Sequence, residues 1–397
     1  MTGTRLDLER RPILVFWEIT RACLLTCRHC RASAIAAPLP GELSTEEGER
    51  LLESLTGFGR PYPIVVLTGG DVLMRPDLLR LVGKARELGL HAAVSPSVTP
   101  RLDPAALSGL RQAGVKVASL SLDGAGPGTH EGLRGVAGHF EQTLAGLRLL
   151  REQGFTVQVN TVVRPENVAE LPEIAALVDE VGAAIWEVFF LVRVGRGAEL
   201  AELSPQQNEE VCHFLFDASR YGFIVRTVEA PFFRRVVVWR KEGRPVDAGP
   251  LYDGLAGRLR ALLGEPRSEP RAQTKGTRDG KGIVFVAHDG DVYPAGFLPI
   301  TLGNVREQSL VDLYRESPLL RDIRAARFGG RCGVCEYADL CGGSRARAYA
   351  ASGDPLGEDP ACAYAPAAIS GPPAYLAAAE LSAGPVDAAA GHDQDGP

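Results

Sequence analysis

At 397 residues, with 45% apolar and 23% charged side chains, the chain has the composition of a globular protein of two to three domains with a sizeable core. A formal net charge of -6 gives no reason to expect nucleic acid or an anionic membrane as partner, no apolar run reaches the roughly 18 residues of a membrane span, and the start MTGTRLDLERRP lacks the apolar segment of a signal peptide. A cytoplasmic protein is expected, in which the eight cysteines read as metal ligands or reactive thiols before they read as disulfides.

Behind an N-terminal arm, residues 1–12, ILVFWE reads as a buried strand. It runs into the loop ITRACLLTCRHCRAS, which brings Cys23, Cys27 and Cys30 within eight residues. An iron-sulfur cube that only carries electrons takes four thiolates. A cube held by three leaves one iron open to a small molecule, as catalytic metal sites do and structural ones do not. A structural zinc knuckle is the alternative that this spacing leaves open. His29 is either a surface ring on a basic loop or a ring packed beside the metal.

Next, LSTEEGERLLESL offers Ser44 and Glu47 as a capping box, and PIVVLTGG is a short β-branched run ending in glycine. The unit repeats: helices over RPDLLRLVGKARELG, DPAALSGLRQAG, GHFEQTLAGLRLLREQG and NVAELPEIAALVDEVG alternate with strands at HAAVS, VKVASLSLDG, FTVQVNTVV and AAIWEVFFLV. Six strands alternating with helices over residues 13–230 predict an α/β fold with a parallel sheet, either open and doubly wound or curved into a partial barrel. Both place ligands at the C-terminal ends of the strands. Polar motifs fall at those ends. Gly69, Gly70 and Asp71 close the second strand, where two glycines let a backbone approach a ligand and leave its polar groups exposed. Ser121 and Asp123 share one face at the end of the fourth, with Arg134 following in THEGLRG, and Asn160 stands near the end of the fifth.

Residues 204–221 predict a helix capped by Ser204, with the isolated Cys212 as a small core residue. Residues 231–281, basic and rich in Pro and Gly, read as a linker or lid; Arg234, Arg235, Arg240 and Lys241 either attract an anionic substrate or form a solvated helix face. IVFVAHDGDVYPAG is a hairpin signal around Asp289 and Gly290, followed by a helix over SLVDLYRESPLLRDIRAARF. CGVCEYADLC then supplies Cys332, Cys335 and Cys341, and EDPACAY supplies Cys362: four thiols, enough to close a cube or a zinc site with no open position. Residues 282–370 are expected to form this small Cys-rich domain, and 371–397 a disordered tail.

The C-x3-C-x2-C pattern, with His29 before its third Cys, resembles the signature of the radical S-adenosylmethionine (SAM) enzymes. That resemblance implies a partial (β/α)6 TIM barrel and a 4Fe-4S cluster on Cys23, Cys27 and Cys30. The open iron would chelate SAM, and an electron would cleave it to a 5'-deoxyadenosyl radical. It places Gly69, Gly70 and Asp71 where the family usually reads GGEP and contacts the SAM amino group; the Glu and Pro are absent, so the glycine backbone contact is what carries over. It also makes Ser121, Asp123, Arg134 and Asn160 candidate contacts to SAM. The closing segment is similar to a SPASM extension, with an auxiliary 4Fe-4S cluster on Cys332, Cys335, Cys341 and Cys362. Ala295 and Arg345 stand where a second auxiliary cluster would need cysteines, so one such cluster is implied. It either takes an electron from a substrate radical or braces the domain. The run GGSRARAYAASGDPLGEDPACAY looks like that of enzymes trimming tetrapyrrole side chains in haem and haem d1 pathways. The implied partners are a small-molecule substrate, or alternatively a ribosomally made peptide, and a reductant such as flavodoxin or ferredoxin. The non-enzyme alternative is a zinc-containing interaction protein.

Overall fold

The computed structural model describes residues 7–246, 248–272 and 276–369, so the expected tail and the first half of the N-terminal arm lie outside the described residues. Period-two apolar runs become β1 (Leu14–Glu18), β2 (Ile64–Thr68), β3 (His91–Val94), β4 (Val117–Ser121), β5 (Thr156–Val163), β6 (Ile185–Phe190) and β7 (Ile224–Val228). Three further strands follow: β8 (Ile283–Val286), β9 (Asp291–Tyr293) and β10 (Gly303–Asn304). All ten form one sheet in the order β10-β9-β8-β1-β2-β3-β4-β5-β6-β7. From β1 to β7 the strands are parallel and sequential. A doubly wound sheet would reverse its order at a switch point, and this one does not, so the partial-barrel alternative holds.

Helices fill the crossovers: α1 (Thr45–Leu55), α2 (Leu78–Glu87), α3 (Pro104–Ala113), α4 (Pro127–Arg134), α5 (His139–Glu152), α6 (Leu171–Glu180) and α7 (Pro205–Ala218). Ser44 caps α1 as expected: its hydroxyl accepts the Glu47 amide while the Glu47 carboxylate accepts the Ser44 amide. One face of each strand packs on these helices. Val15, Trp17, Val65, Leu67, Val159 and Trp186 are at most 1% exposed, and each large apolar chain so buried contributes roughly 1.5–3 kcal/mol. The alternate residues line the inside of the barrel.

Two expectations are corrected. Residues 231–281, expected as a linker or lid, contain α8 (Phe233–Lys241) and α9 (Pro250–Leu263), with Phe233, Val236, Leu255 and Leu259 buried in the core. The basic residues obscured that periodicity, but they are used internally. Arg234 donates to the Leu340 and Thr277 carbonyls, Arg235 pairs with Glu209, and Arg240 with Asp217. The helix expected over 309–328 is two, α10 (Leu310–Glu316) and α11 (Pro318–Arg324), because Pro318 cannot continue a helix and Ser317 caps the next one. Two short helices, α12 (Gly330–Gly333) and α13 (Arg345–Ser352), flank the closing cysteines.

The hairpin is present: β8 and β9 pair Phe285 with Tyr293 across a turn in which Gly290 has φ +90°. Because β8 also pairs in parallel with β1, the C-terminal segment extends the barrel sheet directly.

Candidate active site: two cysteine loops at the barrel mouth

The opening cysteine loop leaves β1 and is closed on itself by a bridge between Ala22 and Ile35: the Cys23 amide donates to the Ile35 carbonyl at 2.7 Å and the Ile35 amide to Arg21 at 3.1 Å. The turn after β2 holds it from one side, with the Gly70 amide donating to the Thr20 carbonyl (2.8 Å) and the Asp71 amide to that of Ala22 (2.7 Å). Only glycine fits there, since a Cβ on Gly70 would lie 2.2 Å from the Ala22 carbonyl oxygen. The turn after β6 holds it from the other. Arg196 donates to the carbonyls of Cys27 (2.8 Å) and Ala34 (2.7 Å), and its amide to that of Cys30 (3.1 Å). With its carbonyls tied outward, the loop gathers Cys23, Cys27 and Cys30 into one cluster with Leu25, Ala34 and Val136.

Each thiol has a donor. The Leu25 amide points at Cys23 Sγ and the Ala34 amide at Cys30 Sγ, both at 3.4 Å, and Arg134 Nη1 lies 3.6 Å from Cys27 Sγ. Donors aimed at sulfur favour the thiolate that binds metal. Burial pushes the Cys23 thiol up, so a bound cluster would supply the charge that favours its thiolate. Three sulfurs on one loop suit a cube with a corner left open. His29 belongs to this setting. Burial first, and then the Arg134 charge, lower its pKa to about 4, and its Nδ1 is sealed from water with no hydrogen-bond partner among the described residues. The ring is half-buried on the loop.

The other sequence candidates divide. Asp71 is fully buried, with one carboxylate oxygen accepting the Leu73 and Ser97 amides and the other the Thr99 hydroxyl. It braces the β2 and β3 loops and offers SAM no unused oxygen. Gly70 is likewise engaged, and its carbonyl accepts the Ser97 hydroxyl, so the polar groups expected to be exposed are largely bonded to the cysteine loop and its neighbours. Gly69, at φ +149°, makes the same close approach to Thr20. Arg134 joins Cys27 to Asp123, an ion pair buried on both sides. Burial opposes ionisation of Asp123, yet the Arg134 charge outweighs it and lowers its pKa. Ser121 and Asn160 are register partners on β4 and β5, half-buried on the inner face.

The support behind Asp123 has no cue in the local pattern of residues. Its amide donates to His130 Nδ1, His130 Nε2 lies 2.8 Å from His139 Nδ1, and His139 Nε2 lies 3.1 Å from the Val98 carbonyl. An amide can only donate and a carbonyl only accept, so both rings carry their proton on Nε2 and are neutral. Burial lowers both, His130 to about 3. Also missed were Arg196, whose Gly-Arg-Gly setting at a strand end was the available signal, and Arg31. Arg31 joins Glu18 at 2.6 Å and the Gly296 carbonyl, tying the opening loop to the C-terminal segment.

The closing cysteines do converge. Cys332, Cys335, Cys341 and Cys362 border one pocket with Tyr337, Tyr364 and Arg331. Among the described residues, no three or more His, Cys, Asp or Glu side chains are drawn together as around a single ion; these four thiols surround a space. The Tyr337 amide points at Cys335 Sγ (3.4 Å), the Gly343 amide at Cys341 Sγ (3.5 Å), and Arg345 Nη2 at Cys332 Sγ (3.7 Å). Burial raises Cys341 to about 12 and Cys362 well above the usual thiol. The two positions lacking cysteines are occupied by packing. Ala295 is buried against Leu298 and Ala346, and Arg345 is fully buried, donating to the Pro355 and Gly357 carbonyls.

Residues 17–178 match the Radical SAM superfamily, and residues 278–337 match SPASM, an iron-sulfur cluster-binding domain. The chain is 36% identical over 361 residues to the AdoMet-dependent heme synthase of Methanosarcina barkeri, covering 90% of this chain and 98% of that one. It is 30% identical over 359 residues to the mycofactocin maturase MftC of Mycobacterium ulcerans, covering 88% of each. The crystal structure of Streptococcus suis SuiB bound to S-adenosylmethionine shares the fold, with TM-score 0.65 at 15% identity over 89% of this chain and 78% of that one. With its triplet at the mouth of a partial barrel and its quartet in an appended domain, the chain belongs to the radical SAM superfamily, as an enzyme that binds SAM, a 4Fe-4S cluster and an auxiliary iron-sulfur cluster.

Proposed function

We propose that the substrate is a tetrapyrrole whose propionate side chains the enzyme removes or alters oxidatively. The observation that carries this is the 36% identity to the Methanosarcina barkeri heme synthase across nearly all of that protein, against 30% to the mycofactocin maturase. Cys23, Cys27 and Cys30 hold the SAM-binding 4Fe-4S cluster, and Cys332, Cys335, Cys341 and Cys362 the auxiliary one. When bound, the cluster and SAM supply a 5'-deoxyadenosyl radical that abstracts hydrogen from the substrate. The chain's own residues bind, orient and exclude water. Arg196 and Gly70 fix the cysteine loop, while Arg134, held by Asp123, keeps positive charge on Cys27. Ser121, Asn160 and the Gly69 backbone are the candidate contacts to SAM, and Leu25, Ala34 and Val136 shield the sulfurs. Residues 13–230 form the barrel and 282–370 the cluster domain, with α8 and α9 between them. The reductant is a low-potential protein of the flavodoxin or ferredoxin class, and the setting is the cytosol. No helix of the described residues is long and apolar enough to cross a membrane.

Anaerobic protein titrated with an iron porphyrin bearing propionates is expected to shift its Soret band. Addition of dithionite and SAM should then give 5'-deoxyadenosine together with a decarboxylated or otherwise altered macrocycle. A Soret band that never moves, with 5'-deoxyadenosine formation stimulated by a peptide and not by the porphyrin, overturns the proposal in favour of peptide maturation.

A further inference from the structure

Arg134, Arg235 and Arg347, buried near the two cysteine loops, each meet a carboxylate: Asp123, Glu209 and Asp359 in turn. Arg345 does not. It is fully buried, and its guanidinium donates from Nε to the Gly343 carbonyl (3.3 Å) and from Nη1 to those of Pro355 (3.1 Å) and Gly357 (2.6 Å). Its Nη2 points at Cys332 Sγ, 3.7 Å away. Among the described residues no carboxylate lies within 4.0 Å of that guanidinium. Carbonyls orient the group without cancelling its charge, so of its partners only the sulfur can carry a countercharge. Arg278 is placed in the same way. It is buried and donates to the Ala338 and Asp339 carbonyls, both at 3.0 Å; the Asp339 carboxylate, 3.8 Å from it, is exposed and already bonded to Lys281 at 2.8 Å. Burial, and then the Arg234 charge, lower Arg278 to about 10, so it stays protonated at neutral pH. Arg234, half-buried, donates to the Leu340 and Thr277 carbonyls.

The chain makes room for these groups. Gly342 and Gly343 follow Cys341, both at positive φ. A Cβ on Gly342 would collide with the Arg278 guanidinium, and one on Gly343 would lie 2.5 Å from Arg345 Nη2 and 3.1 Å from Cys332 Sγ. Both guanidiniums also stack on Phe328, with Arg345 4.4 Å and Arg278 5.2 Å from the ring centroid. The position at which a second auxiliary cluster would need a cysteine therefore carries a fixed cation beside the thiols of the first.

We propose that Arg345, with Arg278 and Arg234 behind it, holds up the reduction potential of the auxiliary cluster on Cys332, Cys335, Cys341 and Cys362. This rests on the assignment of those four thiols to that cluster and not on the tetrapyrrole reading. Reduction adds one negative charge to a centre that four thiolates already make negative. A cation fixed close by in protein surroundings offsets that charge, and a donor aimed at sulfur acts in the same direction. At the opening loop the arginine near a thiol, Arg134, is paired with Asp123, which cancels much of its charge. Of the two roles open to the closing cluster, taking an electron and bracing the domain, an unpaired cation serves the first.

The test is an EPR-monitored redox titration of the reconstituted full chain in a Cys27→Ser background, where the closing cluster is the one that remains. Arg345→Gln and Arg345→Lys are compared with that parent, with iron content and thermal midpoint as fold controls. Arg345→Gln is expected to move the reduced-to-oxidised ratio at a fixed potential about tenfold toward oxidised, a midpoint lower by about 59 mV for one electron, and Arg345→Lys to recover part of the shift. A bracing role alone would cost stability and leave the midpoint in place, so an unchanged midpoint in Arg345→Gln overturns the proposal. If Arg345→Gln loses its iron, Arg234→Gln decides: a lowered midpoint supports the proposal and an unchanged one overturns it. Absence of any iron-sulfur cluster in the Cys27→Ser parent overturns the assignment of the four thiols, and the proposal with it.

Discussion

The opening and closing cysteine loops both gather thiols for an iron-sulfur cube, yet they are built differently. The opening loop is held from outside. The β2 turn, Arg196 and Arg134 each come from a different part of the barrel, and Cys30 stays half-exposed. The closing loop is held from outside by Arg234 and Arg278, which donate to the Leu340, Ala338 and Asp339 carbonyls, and also from within its own segment. Arg331 donates to the Cys362 and Tyr364 carbonyls and Arg345 to those of Pro355 and Gly357, and the thiols are pushed far up by burial. Three thiols leave one corner of a cube without a protein ligand, whereas four supply every corner. The difference is that between a reacting centre and an auxiliary one.

The largest effect should come from breaking one loop at a time. Cys27→Ser is expected to abolish 5'-deoxyadenosine formation, a loss of about a thousandfold or more, and Cys335→Ser to leave SAM cleavage standing while product disappears. Each variant should also lose about four irons per chain after anaerobic reconstitution. Equal loss of 5'-deoxyadenosine in both would erase the distinction, and survival of product in Cys335→Ser would leave the closing cluster a brace only. One or two zincs in place of iron would remove the enzyme reading altogether.

A smaller effect sharpens the claim that the opening loop is held from outside. In Gly70→Ala the new Cβ would stand 2.2 Å from a backbone oxygen, Ala22 O, which cannot rotate away, so the loop must shift. The expected outcome is a destabilisation of about 2–4 kcal/mol and roughly half the iron, with the closing cluster retained. Full iron and wild-type SAM cleavage in Gly70→Ala would mean that the β2 turn is not a clamp.

Much of this was legible in the chain. Alternating apolar runs announced six of the seven strands from β1 to β7, and the spacing of seven cysteines announced both cysteine loops, because local pattern determines each. β7 went unread because IVRTV is short and carries an arginine that faces inward. α8 and α9 were hidden by basic residues whose partners, Glu209 and Asp217 on α7, lie far away in sequence. The same limit applied at the site. Asp71 and Asp123 were found at strand ends as polar residues, but whether a carboxylate faces a ligand or a brace depends on contacts from other loops, as with Thr99 and Arg134. Arg196 clamps the cysteine loop across more than 160 residues of chain, a relation that no local pattern encodes.

The smallest effect is in pH dependence, where each loop has a carboxylate nearby shifted in the opposite direction. Beside the opening loop, burial works against ionisation of Glu18, but Arg31 and His288 outweigh it and hold its pKa at about 2. Its contribution is present above the unfolded value near 4.5 and is lost as pH falls toward 2. Behind the closing loop, Glu229 lies against Ser344 and Arg347, where burial and then Asp279 raise it to about 8. The native state there holds a proton that the unfolded chain releases. Stability is therefore full below about 4.5 and falls as pH rises through 8, by at most about 1.4 kcal/mol per pH unit for one group. Thermal midpoints of anaerobic protein between pH 5 and pH 9 should therefore decline up to about pH 8 and level off above it in wild type, and decline less steeply in Glu229→Gln. Glu18→Gln should leave that alkaline limb as it is, because Glu18 is ionised in both states throughout the range. An alkaline slope unchanged in Glu229→Gln would mean that Glu229 is already ionised in the native state. The contrast between the two loops would then rest on their thiols alone.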